Sequence, residues 1–200
     1  MASRTPYSKI APAGGAYRIS LKSGATTVLN AGDCVWSCRW TSTTLRAIIQ
    51  KLRVNWVVTT AFDAAQLLDY GLYFARAFTA TDSAGTASTL TGDNCKLDTN
   101  FPTTAFADIE IATAAAVTAG TRTLDSQPLV TRNGWATTTA GTVAADPNVE
   151  YQFGTLDATN PITLRADEGL ALNVLTTMGA SGVVRVYVEM EWTEVPVNLA

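Results

Sequence analysis

The chain has no histidine among its 200 residues. That absence removes Ser-His-Asp and Cys-His nucleophile schemes and imidazole metal ligation together. Charge is also scarce, at 16% of residues against an ordinary share of about 25%. The net charge of −3 argues against a nucleic-acid-coating protein, which needs a basic stripe. The one local gathering of cations is Arg46, Lys51 and Arg53. No apolar run reaches the roughly 18 residues of a membrane span, so no membrane partner is expected. The opening MASRTPYSKIAPAGG lacks the apolar stretch of a signal peptide, and no Asn-x-Ser/Thr sequon occurs. Synthesis in a cytosol-like compartment is the expectation.

Cysteine is equally sparse. Cys34, Cys38 and Cys95 are an odd number, and Cys34 and Cys38 sit four apart on an expected strand. Four residues of strand separate them by ~13 Å, too far for a bridge. A zinc site would need a fourth ligand, so all three are read as buried free thiols and no metal is expected. GxSxG, GxxxxGK[ST] and GxGxxG are all missing. Asp93 to Asp98 (DNCKLD) imitates the start of a calcium loop but lacks the mid-loop glycine and the closing glutamate. Carboxylate pairs remain, since glycosidases need only two. Glu189 and Glu191 share a strand face, and Asp167-Glu168 precedes Gly169 in a turn. Both spacings fit solvated surface. The expectation is therefore a protein that is not an enzyme, with no catalytic, cofactor-binding or metal residues and no cofactor. A carbohydrate-binding role would draw on surface aromatics such as Tyr73, Trp135 and Tyr187.

What the chain does have is period-two patterning. Val184, Val186, Val188, Met190 and Trp192 alternate with Arg185, Tyr187, Glu189 and Glu191, which marks a strand with one apolar face. Leu170 to Thr177 precedes it across Met178-Gly179-Ala180-Ser181-Gly182, a spacing that predicts an antiparallel hairpin. Leu45 to Thr60 predicts one long strand with Leu52, Val54, Trp56 and Val58 inside and a bulge near Gln50. Cys34, Trp36, Cys38 and Trp40 fall on one face of another, and Leu68 to Phe78 reads as a central strand. Shorter strands are expected at 17–21, 149–153 and 161–164. Phe62 to Gln66 suggests a turn of helix, and Phe106 to Ala112 fits either a strand or a short helix. Residues 79–100 form a long loop of the kind that is functional, packed on a neighbour or mobile. Residues 132–150 read as a connection anchored by Trp135.

About eight strands with uneven crossings predict an all-β fold: an antiparallel, jelly-roll-like β-sandwich. Immunoglobulin topology is less favoured because its Cys…Trp…Cys framework is missing. The division expected is an extended N-terminal arm at 1–16 holding Pro6, Pro12, Gly14 and Gly15, the sandwich at 17–195, and a tail at 196–200.

Two stretches carry a resemblance. Thr118 to Pro128 (TAGTRTLDSQP) and Ile162 to Val195 (ITLRADEGLALNVLTTMGASGVVRVYVEMEWTEV) resemble β-rich structural proteins of tailed bacteriophages. The second, with its "EG" turn, "MGASG" loop and acidic-Trp ending, is similar to capsid decoration, or cement, proteins. No catalytic motif travels with the resemblance. It implies a virion protein made in the bacterial host cytoplasm, placed on the outer capsid surface, bridging major capsid protein subunits and self-associating as a homotrimer. The alternatives are a receptor- or glycan-binding module of a tail fibre or spike, and a head–tail or tail component. On the cement reading, the arm and the 79–100 loop are the expected capsid or inter-subunit contacts.

Overall fold

The computed structural model describes residues 14–136, 138, 149–152 and 161–197. The arm ahead of Gly14, Phe153 and the last three residues of the tail lie outside them. Twelve strands follow in order among the described residues: β1 (Ala16–Lys22), β2 (Cys34–Trp40), β3 (Leu45–Thr60), β4 (Gln66–Arg76), β5 (Thr86–Ala87), β6 (Phe106–Ile111), β7 (Thr123–Leu124), β8 (Val130–Ala136), β9 (Val149–Gln152), β10 (Ile162–Leu164), β11 (Glu168–Val174) and β12 (Val183–Pro196). All pairings between them are antiparallel.

The first sheet runs β1-β12-β3-β10, with β9 beside β10 along the same edge of β3. The second runs β5-β6-β2-β11-β4, with β7 and β8 both on β4. Successive major strands change sheet: β1, β3 and β12 lie in the first, and β2, β4 and β11 in the second. That exchange is the jelly roll, and β1, β2, β3, β4, β8, the β9–β10 edge, β11 and β12 are its eight members. β5, β6 and β7 belong to the long connection between β4 and β8.

The expected hairpin of Leu170–Thr177 with Val183–Trp192 is therefore corrected. β11 lies between β2 and β4, whereas β12 lies between β1 and β3 in the opposite sheet. The connection runs over residues 175–182, longer than the five-residue loop expected, and it carries the chain across the sandwich. β11 is buried along nearly its whole length, as a central strand covered on both faces is.

The alternating strands behave as their period demands. Leu52, Val54, Trp56 and Val58 of β3 and Val184, Val186, Val188, Met190 and Trp192 of β12 are all buried in one continuous core. Trp192 meets Phe106 of the other sheet edge to face at 5.1 Å between centroids, and Phe106 meets Trp40 at 5.0 Å. Trp56 packs on Tyr70 across the sandwich at 5.0 Å. Aromatic pairs in these orientations add to area burial. The bulge expected near Gln50 is present: Glu191 pairs with Lys51 and Trp192 with Ile49, leaving Gln50 unopposed.

Three local expectations change. Residues 62–65 form no helical turn; Gln66 already begins β4. Phe106–Ile111 resolves as a strand, drawn out by its ladder to β2. Within 132–150, residues up to Ala136 continue β8, which pairs with Gln66–Leu72 and leaves Trp135 60% exposed, while residue 137 and residues 139–148 lie outside the described residues. A further shift affects Cys34. The ladder to β11 skips Val35, so the alternation breaks; Cys34 stays buried with Trp36, Cys38 and Trp40 but also lines a surface cleft. All three cysteines are free thiols, Cys34 and Cys38 buried as expected and Cys95 only half-buried.

Candidate functional site

The chain leaves its arm and enters the fold at one tightly built place. Gly15 accepts a backbone hydrogen bond from Glu194 N–H at 2.8 Å, and Ala16 opposes Thr193 in the ladder. A Cβ on Gly14 would lie 1.8 Å from the Glu194 carbonyl oxygen, so no larger residue fits that approach. Tyr17 follows, stacked on Trp192 at 5.4 Å and donating its hydroxyl to the Pro102 carbonyl at 3.0 Å. The Glu194 carboxylate sits on the core side of β12, in phase with Trp192. It accepts from the Thr104 hydroxyl, the Ala105 N–H and the Trp192 indole N–H. Burial pushes its pKa up despite these three donors. The start of β1, the end of β12 and residues 95–105 are thus one knot, completed by Arg18 N–H to the Cys95 carbonyl and Leu97 N–H to the Ala16 carbonyl.

A second built region lies on the outer face of the second sheet. Ser37 and Arg39 point outward from β2, and Asp108 and Glu110 from β6 beside them. Residues 79–87 and 117–122 cover this face. Asp82 is fully buried there, accepting from the Ser37 hydroxyl at 2.6 Å, the Gly120 N–H at 2.7 Å and the Arg122 guanidinium. Arg122 also lies over the Phe78 ring. Gly120 is required, since a Cβ there would meet the Ala80 carbonyl oxygen at 2.2 Å. Arg39 bridges to Asp108 at 2.9 Å and reaches Thr79 and Thr81 on the covering loop. Next to this region is an open cleft of about 470 Å³ between residues 32–34 and 116–124, with Arg122 and Asn173 on its wall. The Oδ1 atom of Asn173 has no partner, although its Nδ2 donates to the Gly32 carbonyl.

The candidate carboxylates of the sequence do not converge on a reaction centre. Glu189 lies on the outer face of the first sheet at 3.1 Å from Arg18 and 3.9 Å from Arg53, and Glu191 lies 3.6 Å from Arg18. These are cross-strand ion pairs on an open surface. The sequence patch Arg46, Lys51 and Arg53 is correspondingly interrupted by acids, Glu191 facing Lys51 and Glu189 facing Arg53 in the ladder. Glu168 pairs with Arg76 at 3.0 Å and caps the Arg165 N–H, while Asp167 takes the positive φ of the turn. In the segment that imitates a calcium loop, the Lys96 ammonium sits 3.0 Å from Asp93. Among the described residues, no three His, Cys, Asp or Glu side chains are grouped to hold a metal ion. No helix among them is long and apolar enough to cross a membrane.

The surface aromatics are also separated. Tyr187 belongs to the first sheet and Tyr73 and Trp135 to the second. Trp135 opposes Leu67, six residues along β4 from Tyr73, a distance of about 20 Å. No three-ring platform exists. Sequence reasoning missed Asp82, Arg122 and Glu194. The available signal was in β6, where Asp108 and Glu110 alternate with Ile109 and Ile111; such a strand has a polar face, but nothing in it tells whether a loop covers that face.

No family model matches the chain, and no curated protein matches it. Among solved structures, a structure of infectious bursal disease virus Gx strain aligns over 93% of this chain and 42% of that chain, at 14% identity and a TM-score of 0.13. This chain thus spans less than half of that one, and a likeness so slight carries no argument.

Proposed function

We propose that this chain is a non-enzymatic virion structural protein of a tailed bacteriophage, bound to the outer capsid surface and cementing neighbouring major capsid protein subunits, itself as a homotrimer. Its place is the virion surface after synthesis in the host cytoplasm. The observation that carries the reading is the knot at Gly14–Tyr17. A cementing protein has to pass load from an arm into a rigid body. Here the arm root is held by backbone hydrogen bonds to β12, by ladder pairing and by a buried Tyr–Trp stack. Ahead of it stands a polar, Pro-containing sequence suited to extended contact with a neighbour. The resemblance of residues 162–195 to decoration proteins supports the same reading.

The test is decoration of capsids that lack the protein. Removal of residues 1–13, which spares the Gly15–Glu194 bond and the Ala16 pairing, should leave the circular dichroism and melting of the sandwich intact and abolish capsid binding. Full decoration by the truncated protein would sink the proposal. A glycan-binding module of a tail fibre or spike is the second reading, favoured by the exposed Trp135 on β8. Glycan-array binding that is lost in Trp135→Ala would decide for it.

A further inference from the structure

The covered face of the second sheet holds five charged groups, Asp82, Asp108, Glu110, Arg39 and Arg122, with the Cys34 thiol beside Arg122. Three are acids and two are bases. Both guanidiniums are committed, Arg122 to Asp82 and Arg39 to Asp108, Thr79 and Thr81. Glu110 is the acid left over. It is only 5% exposed, and its Oε2 atom has no hydrogen-bond partner. The Oδ1 atom of Asp108, two residues away on the same face of β6, is likewise buried and without a partner. A buried carboxylate oxygen without a donor disfavours the ionised form, because a carboxylic acid supplies one O–H donor of its own where a carboxylate supplies none.

Glu110 also touches the covering segment directly. Ala87 of β5 opposes it in the ladder, and a Cβ on Gly85 would lie 2.8 Å from its Oε2. The charged groups facing it are Asp108 on its own strand, Arg39 on β2 and, from the covering residues, Asp82 and Arg122; Ser37 opposes it across the β2 ladder. Burial and then the charges of Asp108 and Asp82 raise its pKa, and the hydrogen bond from the Gly85 N–H only partly offsets them. No arginine compensates.

We infer that Glu110 is a proton-operated latch: protonated, it lets residues 79–87 and 117–122 lie closed over the second sheet, and its ionisation loosens them. The sign follows from the direction of the shift. A carboxyl whose folded pKa is raised stabilises the closed form fully below the unfolded value of 4.5, and loses that contribution as pH rises through the folded value. One proton changes the opening equilibrium by at most about tenfold per pH unit. The inference does not depend on the capsid reading.

Hydrogen exchange of the full chain, followed by mass spectrometry between pH 5 and about pH 8 and corrected for intrinsic exchange, tests it. Protection of peptides within 79–90 and 112–124 should fall with pH by up to about tenfold per unit beyond any fall in β12 peptides, which carry the separate contribution of Glu194. Glu110→Gln, which retains shape without ionising, should abolish that dependence and hold the segment closed at the alkaline end. An infrared carboxylic-acid band present in the wild type and lost in Glu110→Gln would identify the proton independently of stability. A flat wild-type profile, or an unchanged slope in Glu110→Gln, overturns the inference. So does protection at the alkaline end that appears on adding calcium or magnesium, which would make the two oxygens cation ligands.

Discussion

The two outer faces of this sandwich use the same chemistry under opposite conditions. On the first sheet, Arg18 spans Glu189 and Glu191 at the water-facing surface, its side chain 49% exposed. On the second, Arg122 and Asp82 make the same kind of pair with side-chain exposures of 3% and 0%. The exposed pairs gain little, because water screens them and long side chains must be ordered. The covered pair is different in kind. Its net value against an apolar replacement is small, but removing one partner strands a charge in a dry place. Burial turns an optional contact into an obligatory one. The covering loop is therefore fastened less by the attraction itself than by the cost of undoing half of it.

That contrast can be broken in order of size. Arg122→Ala should destabilise the fold by about 3–5 kcal/mol in chemical denaturation, since it leaves Asp82 buried with only Ser37 and the Gly120 N–H. Adding about 1 M salt should not rescue it, because a buried charge is poorly screened. Glu194 provides the intermediate case, a buried carboxylate served by neutral donors. Its raised pKa means that it stabilises the fold fully below 4.5, and that this contribution is lost as pH rises through the folded value. Glu194→Gln should therefore flatten the decline of stability with pH by no more than about 1.4 kcal/mol per unit, read from denaturant midpoints across that range. Smallest of all, Glu189→Gln should cost less than about 1 kcal/mol and nothing measurable at about 1 M salt. A loss at Glu189 equal to that at Arg122 would erase the distinction between the faces.

The sequence made some of this readable and hid the rest for identifiable reasons. β3 and β12 declare themselves because each has one wet and one dry face, so a period of two is written into Leu52–Val58 and Val184–Trp192. Even the Gln50 bulge left its mark as a slip in that period. The partners of these strands were not readable. A loop such as 178–182 has the same composition whether it closes a hairpin or crosses to the other sheet, and here it crosses. β8 was passed over because an edge strand reading VTRNGWA carries little apolar signal and places its tryptophan in solvent. The ionic cluster was invisible for a third reason. Residues 37, 82, 108 and 122 are strangers in sequence, and only the topology that lays 79–87 and 117–122 over β2 and β6 brings them together.

The place of β12 has a consequence for the order in which the molecule can be made. It lies between β1 and β3, and its ladder to β3 spans fourteen paired residues. Until β12 has been synthesised, the first sheet has no middle. Its nascent chain carries β1 and β3 with bare hydrogen-bonding edges and an apolar face waiting for Val184 to Trp192. Such contacts between distant parts of a chain form slowly, and the open edges meanwhile invite pairing with other chains. The first sheet must therefore wait for β12, and a chain cut before Val183 lacks the strand that joins β1 to β3.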